Sequence, residues 1–258
     1  MADPHGVELR TTLRGAGLTV ASAHGRLVPA AVPELRDNLV KVLADGVPVL
    51  LDLADLRLDW APAPELFVTA VTAAGGWPIA RLVLFGADAH GTDRLQACRV
   101  PDSVPLARTV DEAAALVGTR PVRLSCGVDL APVSMSVHRA RDVLRDACRR
   151  WGIPERQDAA AVVTELVMNA VEHAGTPIRL RLVLDRTGLR VSVRDRRPGP
   201  LPDPGTADVA HGRGLRTVAR LSRTWGVLLY GDGKAVWAQL PLTRERTYGD
   251  VRIAIHGS

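Results

Sequence analysis

The sequence is poor in cysteine, lysine and aromatic residues, and it has no long apolar run. Its three cysteines, Cys98, Cys126 and Cys148, are widely spaced, with no CxxC pair and no histidine at metal-ligand spacing, so they predict free thiols rather than disulfides or a zinc site. Apolar stretches are broken by charge well short of the roughly 20 residues that span a bilayer, and Met1 opens no signal-peptide pattern. We therefore expect a soluble, cytoplasmic protein.

Charge is distributed unevenly along the 258 residues, whose formal net charge is +5. Up to Gly118 there are 10 Lys and Arg against 14 Asp and Glu, a balance of −4, and beyond it there are 23 against 14, a balance of +9. No recognition-helix, RNA-binding or zinc-finger pattern accompanies the basic half, which argues against direct nucleic-acid binding. The basic half instead suits an anionic ligand or an acidic partner.

The first half alternates between strand-like and helix-like patterns, and this alternation predicts a small α/β domain over residues 1–118. Turn-forming pairs without a helical period predict a linker over residues 119–132. The predicted strands are 18–23, 47–53 and 79–85, and the predicted helices are 32–46, 64–76 and 109–117.

The second half, residues 133–245, starts with two long helices at 135–152 and 157–174 and continues mainly with strands. This order predicts a two-layer α+β sandwich, followed by a C-terminal tail at 246–258. The predicted strands are 178–185, 189–195, 225–230 and 235–242, and a third helix is predicted from about Gly214.

The second long helix carries a polar stripe in an otherwise apolar sequence, TELVMNAVEHAG. Glu165, Asn169, Glu172 and His173 share one side at about 100° per residue. A solvated face would explain this stripe, although Asn and His are unfavourable inside a helix and Lys, Arg or Gln would serve better. The opposite side holds Val163, Leu166, Val167, Ala170 and Val171.

Downstream, a predicted strand ends at Asp195, and a long Gly- and Pro-rich stretch then leads through HGRG into a helix. A glycine-flanked helix N-terminus offers free N–H groups to phosphate oxygens. Glycine that serves only a flexible connection is the alternative for this segment taken alone.

These pieces together make residues 125–242 resemble the GHKL ATPase superfamily, which has the Bergerat fold, and more closely its anti-sigma-factor serine kinases. TELVMNAVEHA is similar to the N box, VSVRD to the start of the G1 box, HGRGL to the G2 box and GKAVWAQL to the last strand. The resemblance implies ATP and Mg²⁺ as cofactors. Glu165 would then be the general base, Asn169 the magnesium ligand and Asp195 the acceptor for the adenine amino group. The same resemblance implies nucleotide contacts by Asn169, His173, Asp195, Gly199, Gly212, Arg213, Gly214 and Leu215.

Two positions depart from the family pattern. Arg197 replaces the first glycine of the G1 box, and Lys234 replaces the threonine that often precedes the last strand. The bulk of Arg197 is expected to narrow the adenine side of the pocket, so nucleotide affinity is expected to be modest. ATP binding is a firmer expectation than turnover. A non-catalytic regulator gated by nucleotide therefore remains an alternative to a kinase. A sensor histidine kinase is disfavoured because no helix with a phosphoacceptor histidine precedes this half.

The first domain resembles STAS domains, the fold of the anti-anti-sigma factors that such kinases phosphorylate. The resemblance rests on LLDLADLRLDWAPAPEL, in which a strand exit is followed by Asp59 and a helix. Trp60, Ala61 and Pro62 stand where the family has hydroxyl residues and glycine, so this chain lacks the phosphoacceptor. The resemblance thus implies a separate STAS protein as substrate, with a sigma factor as a further partner. Two interpretations of the first domain stay open: a STAS fold whose local sequence has diverged, and a tethered mimic of that partner. Formation of a homodimer also stays open.

Overall fold

The structure, a computed structural model, describes residues 7–15, 17–198, 212–242 and 250–255. The chain divides into two compact units, Met1–Ser125 and Cys126–Ser258. This division falls inside the stretch expected to be a linker, residues 119–132, and strand Leu124–Leu130 occupies part of that stretch. No described helix combines the length and the apolar character that a membrane crossing requires.

The N-terminal unit is the α/β domain that the alternating pattern predicts. Parallel strands β2, β3 and β5 form its centre, β1 pairs antiparallel with β2 at one edge, and the short β4 also pairs with β2. Its elements are β1 (Val7–Gly15), β2 (Leu18–Arg26), α1 (Val32–Ala44), β3 (Val49–Asp52), β4 (Leu56–Arg57), α2 (Glu65–Ala73), β5 (Leu82–Phe85), α3 (Ala89–Ala97) and α4 (Val110–Leu116).

The central strands of this unit are buried on both faces, as parallel strands usually are. On one face Leu51 belongs to the main core with Leu39 of α1 and Phe67 of α2. On the other face Leu50 belongs to a smaller cluster with Ala113 of α4. Neighbouring strand residues therefore contribute to opposite layers, and this explains the continuous apolar run of β3.

The C-terminal unit is a two-layer sandwich, as predicted. A six-stranded sheet has the order β11-β9-β10-β8-β7-β6, and its helices contact one another and the sheet. Strands β7 to β10 pair antiparallel, whereas β11 runs parallel to β9. The elements are β6 (Leu124–Leu130), α5 (Met135–Trp151), α6 (Gln157–Ala174), β7 (Ile178–Asp185), β8 (Gly188–Asp195), α7 (Gly212–Leu221), β9 (Thr224–Tyr230), β10 (Gly233–Leu240) and β11 (Asp250–Ile255).

The three cysteines are free thiols, as the sequence predicts. Burial raises the pKa of both Cys126 and Cys148 to about 11. At pH 8 only about one such thiol in a thousand is ionised, and the thiolate is the nucleophile. We therefore expect brief iodoacetamide treatment of the folded protein to leave both unmodified, and treatment in denaturant to modify all three. Peptide mass spectrometry measures this, and rapid labelling of Cys126 in the folded protein would contradict it.

Candidate functional site

Helix α6 buries one side and leaves a graded polar stripe on the other. Its apolar residues Val163, Leu166, Val167 and Ala170 are buried. Within the stripe Glu172 is exposed, whereas Glu165, Asn169 and His173 are only half-buried. These three are spaced four residues apart, so they form one row along the helix. The row is partly covered by its neighbours, unlike a purely solvated face.

The carboxylate of Glu165 lies against the first turn of α7. An ideal Cβ added to Gly214 would come within 2.6 Å of Glu165 Oε2, closer than a side-chain carbon normally approaches. Glycine at this position therefore lets the carboxylate approach the backbone of α7. The N-terminal turn of a helix carries free N–H groups and a partial positive charge, both of which stabilise a carboxylate. The structure thus brings together the predicted N box and G2 box.

Asp195 is a buried carboxylate, only 3% exposed, at the end of β8. Its Oδ1 accepts a hydrogen bond of 2.9 Å from the backbone N–H of Arg197. Its Oδ2 lies 3.2 Å from Nζ of Lys234. The carboxylate is therefore held by one neutral donor and one cation, as a buried charge requires.

The backbones of β8 and β10 approach closely beside Asp195. Gly233 has φ +153°, and a Cβ added to it would lie 2.2 Å from the carbonyl oxygen of Asp195 and 2.8 Å from Cα of Arg196. A side chain at this position would collide with backbone atoms on the neighbouring strand. Glycine at position 233 therefore permits the strand pairing that sets Lys234 opposite Asp195.

The segment that leaves β8 is tied to the C-terminal end of α6. The guanidinium of Arg197 donates to the carbonyl oxygen of His173, and the backbone N–H of Arg196 donates to Oγ1 of Thr176 at 3.0 Å. A cation at a helix C-terminus also complements the helix dipole. The large residue that replaces a glycine in the family pattern thus binds α6, which links the end of β8 to the end of the polar row.

The remaining predicted residues lie around the start of α7 or outside the described part of the chain. Gly212 and Arg213 begin α7, and only their backbone is described. Leu215 is half-buried in the same turn. Gly199, together with His211, lies outside the described residues. The structure therefore joins the N box to the first turn of α7 and ties the end of β8 to the end of α6.

The contact between Lys234 and Asp195 is not predicted by the sequence, in which Lys234 is only a departure from the family pattern. The signal that identifies it is the strand register. Lys234 lies opposite Asp195 in the β8–β10 ladder, and directly opposed residues lie on the same face of the sheet.

The described residues contain no group of three or more His, Cys, Asp or Glu placed to hold a metal ion. A magnesium ion that is bound together with a nucleotide keeps several waters and also binds phosphate oxygens, so it needs few protein ligands. Such coordination is usual for Mg²⁺, and the side-chain oxygen of Asn169 is a suitable hard ligand. The residues present thus fit an ion that arrives with a nucleotide.

Comparisons with known proteins place the C-terminal unit in a family. Residues 131–240 match the family described as the histidine kinase-like ATPase domain. A search of curated proteins found no match. Among solved structures, the chain is similar to an anti-sigma factor antagonist from Mycobacterium paratuberculosis, with 17% identity, a TM-score of 0.40, and coverage of 45% of this chain and 98% of that one. The family match confirms that the second unit contains an ATPase domain of the histidine kinase-like type, which implies ATP binding.

Proposed function

We propose that the ATPase domain at residues 131–240 transfers the γ-phosphoryl group of Mg-ATP to a serine or threonine of a separate STAS-domain protein. This transfer would control transcription by partner switching between that protein and a sigma factor. The observation that carries the proposal is the contact between the Glu165 carboxylate and Gly214 in the first turn of α7. It supports a general base beside the helix end that would bind phosphates.

In the proposed reaction Glu165 accepts the proton of the attacking hydroxyl. The hydroxyl oxygen forms a bond to the γ-phosphorus, and the bond from that phosphorus to the β–γ bridging oxygen breaks, so that ADP leaves. The first turn of α7, with Gly212, Arg213 and Gly214, would hold the phosphates. Asn169 would bind Mg²⁺, which supplies neutralisation of the phosphate charge.

Asp195 would accept a hydrogen bond from the exocyclic amino group of the adenine base. His173 and Leu215 would contact the nucleotide at the edges of the site. This arrangement assigns binding and orientation to most of the residues and proton transfer to Glu165 alone, as expected for a reaction catalysed mainly by positioning and electrostatics.

A separate substrate is proposed because the N-terminal unit offers no hydroxyl where STAS proteins carry theirs. The segment DWAPAP, residues 59–64, leads directly into α2, and it contains neither serine nor threonine. Trp60 at its start is exposed. We propose that this unit is a tethered mimic of the substrate, and deletion of residues 1–118 should then change partner binding or ATP turnover. Unchanged values for both would show that the unit is not a mimic.

The transfer itself is tested with the purified full-length chain, radiolabelled ATP, Mg²⁺ and a candidate STAS protein. We expect label on a serine or threonine of that protein and none on a variant whose phosphoacceptor is replaced by alanine. Phosphoamino-acid analysis identifies the acceptor. Firm ATP binding without transfer to any candidate would argue against a kinase.

A nucleotide-gated binding protein without turnover is the second candidate. Two observations favour it, since both residues that depart from the kinase pattern make contacts at the site. Arg197 binds the end of α6, and Lys234 forms an ion pair with Asp195. In this case Asn169→Ala would abolish the effect of ATP on partner binding, and loss of the Glu165 carboxylate would leave that effect intact.

Gly214→Ala tests how strictly the Glu165 carboxylate is positioned. The added methyl group would displace Oε2 of Glu165, while the helix backbone itself tolerates alanine. Because displacement of a catalytic group by about 1 Å can cost roughly 100-fold in rate, we expect transfer to fall by about 10- to 100-fold without loss of fold. Initial rates at saturating ATP and thermal melts measure the two effects, and an unchanged rate would contradict the prediction.

A further inference from the structure

We propose that Lys234 is a second base-reading residue, whose ammonium donates a hydrogen bond to N1 of adenine while Asp195 accepts one from the neighbouring amino group. The proposal rests on the proposed nucleotide site and adds a specificity determinant to it. Its starting point is the 3.2 Å separation between Lys234 Nζ and Asp195 Oδ2.

The strand register places this pair at the end of an apolar ladder. Along β10 and β8 three directly opposed pairs are buried, and the next pair in the same row is Lys234 with Asp195. Since alternate residues of a strand lie on the same face, the charged pair continues the face that forms the core. The apolar pairs are Leu240 with Leu189, Ala238 with Val191 and Val236 with Val193.

The environment of the pair strengthens the hydrogen bonds that it can form. The side chain of Asp195 is 4% exposed and that of Lys234 is 14% exposed, so both charges are largely removed from water. Donor and acceptor atoms in such surroundings form stronger hydrogen bonds than they do at the surface.

The chemistry of the pair matches the edge of adenine. The adenine edge presents an amino donor beside a ring-nitrogen acceptor, and the pair presents a carboxylate acceptor beside an ammonium donor. With the carboxylate at the amino group, guanine would instead set its carbonyl oxygen against a negative charge. One contact that donates a hydrogen bond and one beside it that accepts a hydrogen bond therefore select adenine more strongly than Asp195 alone would.

The ion pair does not have to break when the base binds. An ammonium carries three N–H donors and a carboxylate accepts at about four lone-pair positions, so each group retains capacity for a ligand. Separation of the pair would leave a charge buried without its partner, which is strongly unfavourable. The geometry thus favours a pair that stays together and reads the base jointly over a lysine that leaves when nucleotide enters.

Binding of ATP and of 1-deaza-ATP, which lacks the N1 acceptor, tests the proposal by titration calorimetry. We expect the wild-type chain to bind ATP about tenfold or more tightly than 1-deaza-ATP, as loss of one charge-assisted hydrogen bond implies. Lys234→Met keeps the length of the side chain without its charge, and it should bind the two nucleotides equally within about twofold. Lys234→Arg keeps a donor and should keep a preference for ATP.

The outcomes separate this inference from the proposed function. If the wild-type chain binds both nucleotides equally, Lys234 does not read N1, and this result requires no variant to fold. If Lys234→Met binds both nucleotides more tightly than the wild type does, the lysine obstructs the base and the proposal is wrong. If the wild-type chain binds neither nucleotide, the proposed function fails as well.

Discussion

Glu165→Gln should slow phosphoryl transfer by about 10²- to 10⁴-fold, the usual contribution of a general base, and leave ATP affinity within a fewfold of the wild type. Glutamine has nearly the same shape as glutamate, so the contact with Gly214 in the first turn of α7 can persist. What the substitution removes is the ability to accept a proton from the attacking hydroxyl. Single-turnover transfer of label from ATP to the partner measures the chemical step directly.

The chain offers a matched control on the same helix. Glu172 belongs to the same polar stripe but is exposed, so Glu172→Gln changes the same functional group away from the site. We expect this control to retain wild-type transfer. Equal losses in the two variants would point to a general effect of charge. Loss of ATP binding in Glu165→Gln would show that the carboxylate maintains the pocket rather than the reaction.

The sequence predicted α6 and its neighbours almost to the residue, because several local signals agree there. The periodic apolar face predicts a helix over residues 157–174, which is the span observed, and Gly175 ends it in the left-handed region at φ +62°. Strand β8 likewise ends at Asp195, as its alternation predicts. Local pattern was sufficient wherever an element has a strong period and a clear stop.

The elements that the sequence missed have weak local signals. Helix α3 was not predicted because Ala89–Ala97 buries only Gly91 and Leu95, and what starts the helix is a cap, in which the Asp88 side chain accepts a bond from the N–H of Gly91 at 2.6 Å. Strands β6 and β11 lie in stretches that were assigned to a linker and a tail. Their extended form depends on pairing with distant strands, which a local pattern does not contain.

The candidate site was predictable as a set of residues but not as a set of contacts. Glu165 and Gly214 are 49 positions apart in the sequence. Only the packing of α6 on α7 reveals that the Glu165 carboxylate occupies the space that a side chain at position 214 would need. The sequence suggested that the bulk of Arg197 would narrow the pocket, whereas the structure shows its guanidinium bound to the end of α6. The direction of a long side chain such as that of Arg197 depends on the group that it binds. Here that group is a carbonyl of α6, which the local sequence around Arg197 does not contain.

The close approach of β8 and β10 at Gly233 should make position 233 the most sensitive glycine of the site. Gly233→Ala would place a methyl carbon 2.2 Å from the carbonyl oxygen of Asp195, at a φ of +153° that side chains rarely adopt. The carbonyl oxygen of Asp195 and the nearby Cα of Arg196 are both backbone atoms and cannot swing aside, so the strands themselves would have to separate. Such separation weakens the ladder that holds Lys234 beside Asp195.

We expect Gly233→Ala to lower the free energy of unfolding by about 3 kcal/mol or more and to weaken adenine nucleotide binding in whatever fraction stays folded. Gly231→Ala is the matched control in the adjoining turn, since its Cβ would meet no atom within 4 Å and its φ lies outside the left-handed region. That control should stay within about 0.5 kcal/mol of the wild type. Urea unfolding followed by circular dichroism measures both variants, and similar midpoints for the two would mean that β8 and β10 do not approach as closely as the structure shows.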